Sequence, residues 1–148
     1  MSELKQRITQ DMKQAMRAKD KQRLGTIRLI LAELKRIEVD ERIELDDERI
    51  LVVMDKMLKQ RRESIKQFLN ANRQDLVDIE AAEVTVIQEY MPAALSEEEV
   101  GQLVKQAMNT IRATSMKDMG AVMAQLKPKL QGRADMAKVS QLIKQQLA

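Results

Sequence analysis

Residues 89–100, "EYMPAALSEEEV", decide how this chain is organised. Pro92 has no amide hydrogen and disfavours helical backbone at the residue before it, so a helix arriving from the N-terminal side has to stop here. Four residues later, Ser96 with Glu99 spells a capping box, in which each side chain satisfies a free amide of a new helix. A stop followed at once by a start predicts a boundary between a helical domain over 1–92 and a smaller one over 93–148.

Outward from that boundary, composition favours helix throughout. Four glycines and two prolines in 148 residues leave few breakers, and 44% apolar with 33% charged residues suits amphipathic helices. On the N-terminal side, Leu4, Ile8, Met12, Ala15 and Met16 predict a first helix over about 3–18. Asp20 can cap a second, whose stripe of Leu24, Ile27, Leu31 and Leu34, widened by Ile30 and Ile37, predicts a well-buried helix. Leu45 and Asp46 read as a staple and N-cap for a third helix running to about Leu69, with Ile50 completing the staple. Asn72, with Asp75 three residues on, can start a fourth that carries Leu76, Ile79, Val84 and Ile87 to the neighbourhood of Tyr90.

On the C-terminal side, three short amphipathic segments predict a small three-helix bundle. They are marked by Val100, Leu103, Val104, Met108 and Ile111; by Met119, Val122, Met123 and Leu126; and by Val139, Leu142, Ile143 and Leu147. Ser115 with Asp118 caps the second, and Asp135 is placed to cap the third. The expected fold class is all-α.

Several chemistries are removed or demoted by what is absent. Without cysteine there is no disulfide, thiolate metal site or thiol nucleophile, and without histidine the most common acid-base group near neutral pH is missing. Glu80 and Glu83 lie three apart on one helix, but the di-iron pattern needs a histidine three residues after a glutamate. No metal, cofactor or catalytic residue is expected. One Phe, one Tyr and no Trp leave no platform for stacking bases. Nothing in the first residues resembles a secretory leader and no apolar run approaches a membrane span, so the expectation is a cytoplasmic protein away from the membrane. The eleven methionines occupy apolar helical positions and read as core fillers.

Charge is uneven. Residues 1–92 carry 18 bases and 18 acids, while 93–148 carry 8 bases and 5 acids, so the formal +3 belongs to the tail. Within it, "LKPKLQGRAD" at 126–135 sets Lys127, Lys129 and Arg133 around Pro128 and Gly132, in a segment that is not expected to continue as helix. It reads either as a plain helix connection or as a phosphate site, with Arg133 bidentate and the lysines as point charges. Asp135, as an N-cap, would occupy the amides of the following helix, leaving the work to side chains. Arg61, close to the buried stripe of the third helix, is expected to pair with Glu80 or Glu83.

The run "MKDMGAVMAQLKPKLQGRAD", followed by "V..LIKQQL", resembles the signature of the YqeY family, which is similar in its tail to the B subunit of the glutamine-dependent tRNA amidotransferase, the GatB/YqeY pattern. The matching positions are Gly120, Val122, Met123, Lys129, Gly132, Arg133, Ala134 and Asp135. "KQRRESI", "NRQDL", Glu80, Glu83 and "EYMP.ALSEEE" extend the likeness over nearly the whole chain, with Asn72 standing where the family commonly has glycine. The resemblance implies a two-part helical protein whose tail helps hold tRNA. It also carries a link to a carbon-nitrogen ligase with glutamine as amide donor, without the catalytic cradle of that enzyme. The expected partner is tRNA or another structured RNA, met through Lys127, Lys129, Gly132 and Arg133. The alternative is a helical adaptor that docks on a protein in translation or amidotransferase assembly and binds no RNA.

Overall fold

The computed structural model describes residues 2–130 and 132–147. Among them the fold is all-helical, with seven α-helices in two compact units, Met1–Met91 and Pro92–Ala148. The first unit holds α1 (Glu3–Ala18), α2 (Lys21–Glu41), α3 (Asp47–Asn70) and α4 (Gln74–Gln88). The second holds α5 (Glu97–Ile111), a short 3-10 turn (Met116–Asp118), α6 (Met119–Leu130) and α7 (Met136–Leu147).

Most helix starts follow from local chemistry. Ser2 accepts from the Lys5 amide, Asp20 from the Arg23 amide and Asp46 from the Arg49 amide, each oxygen satisfying one of the donors that a helix N-terminus leaves free. Leu45 and Ile50 are both buried beside the Asp46 cap, as a hydrophobic staple requires. At α5 the capping box is complete: Ser96 Oγ accepts from the Glu99 amide, and Glu99 Oε1 accepts from the Ser96 amide.

The expected start of the fourth helix needs correction. Asn72 is not its cap; it has φ 56° and closes the end of α3, where its amide and that of Arg73 reach back to the carbonyls of Leu69 and Phe68. Asn tolerates this left-handed conformation better than most residues, which is how it serves where glycine is usual. α4 then begins from Arg73 without a side-chain cap.

Each unit has its own core. In the first, Ile8, Ile27, Ile30, Leu34, Ile50, Met54 and Ile87 are fully enclosed, with α3 packed chiefly on α4 and α1 on α2. In the second, Val104, Val122, Leu126, Leu130 and Ile143 form the centre. On α4 the buried face is Val77, Val86 and Ile87, whereas Ile79, expected in the core, is 56% exposed. The helical repeat holds there, but Val77 and Ile79 lie on different sides of α4 and only packing on α3 decides which turns inward.

Candidate nucleic-acid interface

The tail segment departs from its sequence reading at Pro128. α6 runs on to Leu130 with Pro128 inside it, so Lys127 and Lys129 are helical residues and not part of a turn. A proline in a helix interior costs roughly 3 kcal/mol through its lost hydrogen bond and ring clash. Leu126 and Leu130 lie four residues apart and are fully buried, and enclosing two such side chains contributes roughly 3–6 kcal/mol, enough to hold the last turn in place. Continuing the helix through the proline is what brings Leu130 into the core.

This changes the geometry of the candidate residues. Residues two apart on a helix are separated by roughly 200°, so Lys127 and Lys129 flank the buried stripe on opposite edges, with exposed Pro128 between them. They do not form one clamp. Gly132 follows at φ 78°, the left-handed value that glycine adopts without strain, and the amides of Arg133 and Ala134 both close on the Leu130 carbonyl, at 2.9 and 3.1 Å. This C-terminal lock sets Arg133.

Arg133 is half-buried and fastened at two points. Its Nε donates to the Ala93 carbonyl at 3.2 Å, and its own carbonyl accepts from the Leu95 amide at 2.8 Å, tying the segment before α5 to the turn before α7. Its two terminal nitrogens, Nη1 and Nη2, have no partner among the described residues. With Nε held, the terminal nitrogens that give arginine its bidentate reach keep their donors unengaged among the described residues. Asp135 caps α7, accepting from the Ala137 amide through Oδ1 at 3.0 Å while its carbonyl takes the Val139 amide.

Beside Arg133 lies a groove of about 580 Å³ between the start of α5 and one face of α7, floored by Leu95, Val100, Val139 and Leu142. Lys138 shares its rim with Arg133, and Glu97 and Asp135 also line it. Lys127 and Lys129 do not. The predicted set is therefore divided: Arg133 sits at the groove, and the two lysines stand apart from it on opposite edges of α6. Sequence reasoning passes over Lys138, although its place three residues after the Asp135 cap puts it on the same face of α7 as Gln141 and Leu142.

In the first unit, Arg61 pairs with Glu83 at 2.8 Å and donates to the Met57 carbonyl, one of the two expected pairings. Glu80 is left as the unbonded neighbour; burial, and then the charge of Glu83, raise its carboxyl above the ordinary range. A second network, which periodicity could not reveal, surrounds Tyr90. Its hydroxyl donates to Asp11 at 2.6 Å, the Arg7 guanidinium lies 4.9 Å from its ring centre, and Arg23 bridges to Glu89. Burial and the bond to Asp11 push the Tyr90 hydroxyl far up, so it remains a protonated donor and ties α1 to the end of α4.

Comparison with known families matches residues 5–147 to the family described as Yqey-like protein. Curated relatives include three proteins named "Altered inheritance of mitochondria protein 41, mitochondrial". That of Pyrenophora tritici-repentis is 34% identical over 86% of this chain and 71% of its own length. That of Kluyveromyces lactis is 38% identical over 71% of this chain, and that of Eremothecium gossypii 44% identical over 62%. The chain spans only 58% and 52% of the length of those last two. The names correct the cytoplasmic expectation, because these relatives are mitochondrial proteins. Among the described residues, no helix is long and apolar enough to cross a membrane.

Proposed function

The chain belongs to the Yqey-like protein family, and from that membership and the geometry of its tail we propose that the second unit binds structured RNA, tRNA in the first instance. The observation that supports the reading is Arg133, whose Nε is held by the Ala93 carbonyl while neither terminal nitrogen has a hydrogen-bond or ion-pair partner among the described residues. An arginine already fixed in place loses little side-chain entropy when it meets a phosphate, and its planar fork suits two oxygens at once. Lys127 and Lys129, exposed on opposite edges of α6, each add a point charge to a separate phosphate.

The mode of binding follows from what surrounds these groups. Asp135 occupies the first turn of α7, so no phosphate sits on that helix end. The one Tyr and the one Phe, Tyr90 and Phe68, both belong to the first unit, so the second unit has no aromatic ring on which a base could stack. Recognition is of backbone and shape, as is common for helical RNA. The finer part of the reading is an accessory, non-catalytic role beside a glutamine-dependent carbon-nitrogen ligase acting on tRNA; it is supported by the tail resemblance alone. The relatives' names support a mitochondrial setting.

Titration of tRNA with the whole chain at several salt concentrations tests this. Three phosphate contacts give a slope of log affinity against log salt of roughly −2 to −3, and Lys127→Ala/Lys129→Ala/Arg133→Ala together should flatten it. The same affinity in wild type and triple variant, or no binding by either, would sink the proposal.

A further inference from the structure

Helix α2 carries two apolar stripes, and the fold uses one. Ile27, Ile30 and Leu34 are fully buried, whereas Leu29 is 46% and Val39 65% exposed, with Ala32 exposed between them. Leu29, Ala32, Arg36 and Val39 fall at spacings of three and four; Ile43, 43% exposed, lies past the left-handed Arg42 that ends the helix. At 100° per residue the two stripes lie on nearly opposite sides of the helix, roughly 170° apart. The other large exposed apolar side chains, Met16, Leu69, Ile79 and Met116, stand singly on other elements, which is ordinary for a protein surface.

The charges beside the exposed stripe are also ordered. Arg28, Lys35 and Arg42 recur every seven residues along one edge, all exposed and with no ion pair among the described residues. Along the other edge, Glu33 and Asp40 are both taken by Arg36, at 2.6 and 3.3 Å, within the same helix. The two acids of this face share the single Arg36 cation, while its outer row of three bases has no such partner among the described residues. From Leu29 to Val39 the face therefore presents an apolar seam of about three turns, interrupted by Arg36, with uncompensated positive charge down one side.

We propose that this face of α2 docks an amphipathic helix of another protein, one with apolar residues at spacings of three and four and acids along the edge that meets Arg28, Lys35 and Arg42. Complementary charge chooses the occupant. A second copy of α2 would bring another positively charged face against this one and set Arg36 against Arg36 in any parallel, in-register pairing, whereas an acidic edge neutralises the free row and fixes the direction of the seam. A seam of this length is small beside a standard interface, so the complex belongs to the transient class and weakens with salt.

Two synthetic helical peptides with the same leucine stripe, one flanked by glutamates and one by lysines, provide the probe, with binding to the whole chain read by fluorescence anisotropy. The acidic peptide should bind at least tenfold more tightly than the basic one. Leu29→Gln/Val39→Gln should lower its affinity at least tenfold, and Arg28→Glu/Lys35→Glu should invert the preference. All four positions are exposed, and unchanged circular dichroism and melting temperature verify that the variants fold. Equal affinity for both peptides, or acidic-peptide binding untouched by either double variant, overturns the proposal. So does sedimentation showing self-association that Leu29→Gln/Val39→Gln abolishes, which would assign the face to a second copy. Binding to phosphatidylserine vesicles that displaces the acidic peptide and is lost in the same variant would assign it to a lipid surface, and equally overturns it.

Discussion

Single residues carry two sharp expectations. Glu80 is held above its ordinary pKa by burial and by Glu83, so its ionised form is disfavoured in the folded state relative to the unfolded one. A carboxyl raised in this way favours folding when protonated and costs stability as pH rises past its unfolded value, about 4.3. Glu80→Gln is therefore expected to stabilise the protein by up to about 1 kcal/mol at neutral pH, a gain that fades on acidification; urea melts at pH 7 and pH 4 check it. Glu38 behaves oppositely. The Lys5 ammonium at 2.5 Å, and then the Leu45 amide, hold its carboxyl below the ordinary range, so its contribution is present above the unfolded value and is lost as pH falls through the folded one. Glu38→Gln should cost about 1 kcal/mol at pH 7 and little at low pH, in the same melts. Neither shift is legible in the sequence, because Glu38 meets Lys5 across elements and Glu80 owes its shift first to burial, which packing decides, whereas the caps at Asp20, Asp46 and Ser96 are legible because their partners lie three residues away.

Among the elements, α6 shows how packing overrides propensity. Local rules end the helix before Pro128, but the core needs Leu130 and the helix continues. Restoring the amide with Pro128→Ala should stabilise the second unit by about 1 kcal/mol or more, read as a higher melting temperature, without moving Lys127 or Lys129. The turn beyond it obeys the opposite logic: Gly132→Ala forces a Cβ into the left-handed region at φ 78° and should cost about 1–2 kcal/mol. If Arg133 owes its orientation to that turn, the same variant should weaken tRNA binding although no basic residue is lost. The candidate site was thus legible as residues but not as geometry. Lys127, Lys129 and Arg133 stand within seven positions of one another in sequence, yet the helix sends the lysines to opposite edges, and Lys138 joins Arg133 only because α7 packs beside α5.

At the scale of the whole molecule, the two buried clusters share no residue, one built around Ile30 and Ile87 and the other around Leu126 and Ile143. Leu126→Ala is accordingly expected to lower amide-exchange protection in α5–α7 by about 2–5 kcal/mol while α1–α4 keep theirs. The amino-acid sequence by itself determined the all-helical class, the helix spans to within a few residues and most of their starts, because caps and 3.6-residue periodicity act between near neighbours. It also carried the family signature. Only the tertiary structure decided that Pro128 lies inside a helix, that Val77 rather than Ile79 turns inward, that Tyr90 binds Asp11, and that one stripe of α2 is covered and the other left open. Each of those outcomes is a competition between local preference and burial against a distant element, and burial of a few side chains outweighs what any local rule contributes.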